Sequence, residues 1–100
     1  MSTYFVTRHP GAVEWAARRG ISADRTLIHL DLNQINPGDV VIGTLPVHLA
    51  AELCARGARY LHLAVDLPAE RRGVELTADD LVCFNARLTE YRVERVAVCD

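Results

Sequence analysis

Apolar positions along this chain fall into two patterns: short β-branched or aromatic runs, and longer stretches with apolar residues three and four apart. The first pattern reads as strand and the second as helix. Thr3 to Arg8 predicts a buried strand that ends at the Pro10-Gly11 break. Residues 12–19 predict a helix with Val13, Ala16, Ala17 and Trp15 on its apolar side and Gly20 as its stop. Thr26 to Leu30 predicts a second strand, and Asn36-Pro37-Gly38 is the clearest turn signal after it. Asp39 to Gly43 is the third strand. A second helix is expected over 46–56, with Pro46 in its first turn, Leu49, Ala50, Leu53 and Cys54 as its stripe, and Gly57 closing it.

Arg59 to Val65 predicts the fourth strand. The stretch from Asp66 to Leu76 has no periodicity and reads as an exposed loop, long enough to cover a site. Thr77 followed by Asp80 signals the start of a third helix, with Leu81, Phe84, Leu88 and Tyr91 as its stripe. Arg92 to Val98 reads as a last strand. The order β-α-β-β-α-β-α-β indicates an α/β protein: a mainly parallel sheet with helices on both faces, in a minimal Rossmann-like arrangement. One domain over 1–100 is expected. Half of the residues are hydrophobic, so a core can form, but a chain of this size buries only about 60–65% of its unfolded surface. A homodimer would relieve that shortage.

The charged residues are 11 arginines and 13 acids, with no lysine and a net charge of −2. That balance argues against a broad basic face for bulk DNA or RNA, and the missing lysine removes Schiff-base chemistry. A local arginine-lined pocket stays open. Cys54, Cys83 and Cys99 have no C-x-x-C spacing and build neither a disulfide framework nor a zinc knuckle. No charged-then-apolar leader and no membrane-length apolar run are seen, so a cytoplasmic protein that does not engage a membrane is expected.

If the strands are parallel, Arg8, His9, Thr44 and His48 gather beyond the carboxyl edge of the sheet, beside two helix N-termini. Open α/β sheets bind ligands at that edge, and helix N-termini favour phosphate. Arginine offers a planar fork for phosphate oxygens, and histidine exchanges protons near neutral pH. Arg8 could equally pair with Asp31 or Asp66. Gly43 can let a ligand approach the backbone, and Thr44 can cap the helix or bond phosphate. The absence of G-x-G-x-x-G and of G-x-x-x-x-G-K-[ST] leaves no nicotinamide, flavin or P-loop expectation, and no cofactor is anticipated. His48 has Glu52 four residues on, which is an orienting pair or an ordinary helix contact. His29 and His62 lie inside predicted strands and read as core or interface histidines. Asp66 could hold a ribose hydroxyl or orient Arg8, and Arg71 and Arg72 could close over an anion. His9, His48 and Asp66 share no metal-ligand spacing, so no metal is expected.

Tyr4-Phe5-Val6-Thr7-Arg8-His9-Pro10-Gly11-Ala12, Val41-Ile42-Gly43-Thr44-Leu45-Pro46, Ala50 to Gly57, Leu67-Pro68 and Arg72-Gly73 together resemble a known family. It is the small CRISPR-associated proteins of type III systems that are related to CARF domains. The similarity runs from about residue 3 to 91, and its specific part is the pairing of the R-H-P-G and G-T-L-P turns. The resemblance implies a ring nuclease, which cuts cyclic oligoadenylate second messengers and so switches off the response. It implies a CARF-like fold and a homodimer around a symmetric ring, typically cyclic tetra-adenylate. Arg8, His9, Gly43, Thr44 and Pro46 carry over as ligand-edge residues. Within that frame His9 is the first choice for proton transfer, His48 the second, and Arg8 the phosphate-stabilising group. Pro10, Gly11, Leu45, Asp66 and Arg71 complete the expected ligand contacts. A module that only sequesters the ring, or a small protein-interaction subunit, are the alternatives.

Overall fold

The computed structural model describes residues 1–97. One sheet is built from β1 (Thr3–Val6), β2 (Arg25–Leu27), β3 (Val40–Gly43), β4 (Arg59–Ala64) and β5 (Arg87–Tyr91). The helices are α1 (Pro10–Arg18), α2 (Val47–Ala55) and α3 (Ala78–Cys83), with single 3₁₀ turns at Leu32–Gln34 and Ala69–Arg71. The sheet order is β2-β1-β3-β4-β5. The first four of these are mutually parallel, and β5 runs antiparallel to β4.

Side chains of a strand alternate between faces, and here each face has its own core. Phe5, Ile42 and Leu63 pack with Ala12, Trp15 and Ala16 of α1 and with Ala78 and Leu81 of α3. Tyr4, Val41 and Tyr60 point the other way, onto Ala50 and Leu53 of α2. Parallel crossovers are right-handed. The β1-α1-β2 connection moves one way along the sheet and β3-α2-β4 the other, so their helices fall on opposite faces. Buried Asp39 ties the two central strands at their starts: its carboxylate accepts from Ser2 N at 2.9 Å and from Asn36 N at 2.9 Å. Those N–H bonds, Asn36 first, hold the carboxyl below its usual range.

The structure corrects several expectations. A Rossmann arrangement runs 3-2-1-4-5-6 with a helix at each crossover. Here β2 lies at the edge, β3 follows it without an intervening α-helix, and the last strand is antiparallel. Strand β2 is short, so His29 sits in an exposed bend beyond it. Helix α1 begins at Pro10 and takes Gly11 into its first turn, because proline at the first helical position loses no hydrogen bond. The third helix does start with the Thr77–Asp80 capping box, but it ends at Cys83. Asn85 takes a left-handed φ of 57°, which asparagine tolerates better than most residues, and turns the chain into β5. Leu88, placed by its spacing on a helical stripe, instead pairs with Leu63 across the sheet and packs on the same core. Residues 92–97 form no strand, and Val98 and Cys99 lie outside the described residues.

Candidate functional site

Crossovers that leave β1 and β3 in opposite directions open a crevice between the carboxyl ends of these two neighbours, where open sheets take ligands. Val6 and Gly43 are the last register pair on its floor. A Cβ at Gly43 would stand 2.7 Å from the Val6 carbonyl oxygen, so glycine is what lets the two strands close here. Its role is strand packing, a firmer reason than the ligand approach expected from sequence.

Beyond Val6, Thr7 N donates to Leu27 O at 2.9 Å and prolongs the pairing with β2. The Thr7 hydroxyl then accepts from His9 N at 3.1 Å and folds the chain toward α1. His9 caps that helix without a side-chain hydrogen bond. Beyond Gly43, the Thr44 hydroxyl donates to Leu63 O at 2.6 Å. Thr44 therefore links β3 to β4 and does not cap α2; Pro46 is the cap residue, again with no side-chain bond. The first-turn N–H groups of α1 and α2 are left without side-chain caps, which favours anions nearby.

The crevice is a cleft of about 560 Å³, and Thr7, Arg8, His9, Thr44 and His62 supply polar groups to its wall. Apolar Leu63, Val65, Leu67 and Leu76 line its other side. The two turns singled out in the sequence are thus neighbours. Arg8 is exposed and, among the described residues, enters no ion pair with Asp31, Asp66 or any other acid. His9 is half-buried, and its Nδ1 is a buried atom without a hydrogen-bond partner. No carboxylate lines the cleft among the described residues.

Other expected residues lie elsewhere. Asp66 is bound to Arg87 at 3.1 Å and to Asn85 Nδ2 at 3.2 Å, and these hydrogen bonds, Asn85 first, hold its carboxyl below the usual range. It makes no ion pair with Arg8 among the described residues and does not line the cleft. Arg71 pairs with Asp80 at 2.9 Å and lies over the Phe84 ring at 5.5 Å, which draws it toward α3. His48 is exposed on α2, outside the cleft, and makes no hydrogen bond to Glu52 among the described residues. Gly11 is buried because a Cβ there would overlap the Leu76 carbonyl oxygen and the Thr77 backbone; it seats the 66–76 loop against α1. Leu45 lines a smaller neighbouring pocket of about 230 Å³ with Val47, Tyr60 and Tyr91.

Sequence reasoning passed over His62. It lies in β4 at the level of Gly43, and its Nδ1 is 2.6 Å from the Tyr60 hydroxyl. That hydroxyl also accepts from Leu45 N at 2.9 Å and donates to Gly43 O at 3.2 Å. Burial pushes the Tyr60 phenol up from its ordinary pKa, so it stays a neutral hydroxyl. The available signal was position, since His62 nears the carboxyl end of the fourth parallel strand.

The model of the family described as "Putative CRISPR-associated protein (Cas_VVA1548)" matches residues 4–94. The chain belongs to that family. The matched span of this CRISPR-associated protein includes every helix and strand except the first residue of β1, both turns of the cleft and His62. No curated protein and no solved structure matches it. No helix among the described residues is long and apolar enough to cross a membrane.

Proposed function

We propose that this protein is a ring nuclease of CRISPR defence, with a CARF-related binding edge that takes a cyclic oligoadenylate, cyclic tetra-adenylate first, in the cytoplasm. One observation carries the reading: Arg8 and His9 from one turn and Thr44 from the other share a cleft without carboxylates at the junction of β1 and β3. A phosphodiester fits that chemistry. Arg8, without an ion-pair partner among the described residues, forks onto phosphate oxygens, and the uncapped helix starts add N–H donors.

A cyclic oligoadenylate carries its own nucleophile. The ribose 2′-hydroxyl attacks the adjacent phosphorus, the 5′-oxygen leaves, and a 2′,3′-cyclic phosphate remains. The protein holds the groups in line, stabilises the charged phosphorane through Arg8, and moves protons with His9. A ring of four nucleotides presents more surface than one cleft of about 560 Å³ covers, so two copies related by a two-fold axis share it.

Incubating the purified chain with cyclic tetra-adenylate and EDTA, then identifying products by mass spectrometry, tests the reading. Linear products ending in a 2′,3′-cyclic phosphate are expected. An intact ring at excess protein refutes cleavage; tight binding with the ring recovered unchanged then identifies a sequestering module, and no binding leaves a role in protein contact.

A further inference from the structure

We infer that His62 is a proton acceptor of the cleft and that Tyr60 is its positioning residue, fixing the imidazole with Nδ1 protonated and Nε2 bearing the lone pair. This rests on the ring-cleaving reading and adds to it a group that the sequence assigned to the core.

Counting hydrogens around the Tyr60 hydroxyl points to one tautomer. The oxygen has one proton and two lone pairs. Leu45 N can only donate to it, and the Gly43 carbonyl can only accept from it. The arrangement that makes all three contacts sends the single hydroxyl proton to Gly43, at 3.2 Å, and has His62 Nδ1, at 2.6 Å, donate its own. All three contacts hold in no other arrangement. A neutral His62 then carries its acceptor on Nε2. That atom has no hydrogen-bond partner among the described residues, and it is not one of the buried unpartnered atoms, which are His9 Nδ1 and Arg71 Nε. It is open to solvent, on a residue that borders both the cleft and the smaller pocket beside it.

The surroundings favour a fixed ring. Tyr60 and Tyr91 stand edge-on to it, with centroids 5.7 and 5.8 Å away. The titratable groups against the ring are those two phenols; Arg8 and His9 border the same cleft, and the α2 residues beside the ring are Val47 and Ala50. In the reaction, His62 Nε2 takes the proton of the 2′-hydroxyl as that oxygen bonds to phosphorus. The bond from phosphorus to the 5′-oxygen breaks with its electron pair on oxygen, which takes a proton from the His9 imidazolium. A 2′,3′-cyclic phosphate and a 5′-hydroxyl result, and water restores the two imidazoles.

Long-range proton–nitrogen NMR of the free protein reads the tautomer without any ligand. Nδ1–H is expected for neutral His62, moving toward Nε2–H in Tyr60→Phe; an Nε2–H tautomer in the wild type overturns the inference outright. For turnover, His62→Asn keeps an amide donor for Tyr60 but has no Nε2. It is expected to bind cyclic tetra-adenylate within about threefold of wild type and to cleave about 10²–10⁴-fold more slowly, while Tyr60→Phe loses kcat with KM held. Near-wild-type cleavage by His62→Asn, folded by circular dichroism, removes His62 but leaves the ring nuclease standing. A wild type that never cuts the ring defeats the parent reading and the proton-accepting role together, whatever the tautomer.

Discussion

Replacing Arg8 with alanine separates ligand chemistry from folding more cleanly than any other change in this protein. The turn that carries Arg8 is held by backbone and hydroxyl groups. Thr7 N reaches Leu27 O at 2.9 Å, His9 N reaches the Thr7 hydroxyl at 3.1 Å, and Ala12 N reaches His9 O at 3.0 Å. None of these uses the guanidinium, which is exposed and has no ion pair among the described residues. Surface changes of this kind alter stability by about 0.5 kcal/mol or less. For a domain of this size that moves the unfolding midpoint by roughly 2–4 °C at most.

Binding should respond far more. A hydrogen bond to a charged partner contributes about 1.5–3 kcal/mol, so each lost Arg8 weakens ring binding about 10- to 150-fold. Thermal unfolding with cyclic tetra-adenylate shows both effects in one assay. At a ligand concentration of about 100 Kd the wild type gains about 2.7 kcal/mol, while the variant, which loses both Arg8 side chains around one shared ring, gains about 0.4 kcal/mol or less at the same concentration. Raising salt should narrow the difference, because the lost contact is ionic. An equal ligand-induced shift in both proteins takes Arg8 out of the site. A ligand-free midpoint lowered by much more than 4 °C shows instead that Arg8 has a structural partner, and the reasoning from its isolation fails.

Gly43→Ala places a methyl 2.7 Å from the Val6 carbonyl oxygen, a backbone atom that cannot swing aside. It is expected to cost about 1–3 kcal/mol by overpacking, read as a lower unfolding midpoint, and to weaken ring binding by prising apart the cleft floor; unchanged stability contradicts the strand-packing role. Asp39 has a folded pKa below its unfolded value of about 3.9, so its contribution is present above that pH and is lost as pH falls through the folded value. Wild type should therefore exceed Asp39→Asn in stability at pH 6, with the gap closing on acidification toward pH 2; a gap independent of pH rules out the carboxylate. Leu88→Ala should destabilise the fold, since Leu88 pairs with Leu63 and packs on the larger core. An unfolding midpoint within a degree of wild type argues against the antiparallel β5.

The parallel strands, the two turns and the capping box were legible because each is a local signal. Tyr4-Phe5-Val6 and Val41-Ile42 announce strands, Gly20 and Gly57 stop helices with positive φ, and Thr77 with Asp80 starts one. The third helix was misjudged because Leu81, Phe84 and Leu88 keep helical spacing, while the open edge of β4 could still recruit the end of that stretch as a strand. Nothing within a few residues of Asn85 reports that vacancy. The partners of Asp66 and Arg71 were illegible for a related reason: Arg87 and Asp80 lie 21 and 9 residues away. His62 is half-buried and bonded to Tyr60, as a satisfied strand histidine would be, and only the sheet order shows that its end of β4 also borders the cleft.

Those distant pairings also explain how a chain with a net charge of −2 can offer an anion site. Arg18 bonds Asp79 and Glu14, Arg59 takes Glu90 through two nitrogens, Arg71 takes Asp80, and Arg87 takes Asp66. Each pair is at least partly exposed and adds little to stability, but each removes a carboxylate from play. What remains around the β1–β3 junction is Arg8 and two imidazoles against an apolar wall. At that short range the potential follows the local arrangement, because salt screens charges beyond about 10 Å. Formal charge argues against bulk nucleic acid and says nothing against one phosphodiester held at the end of two strands.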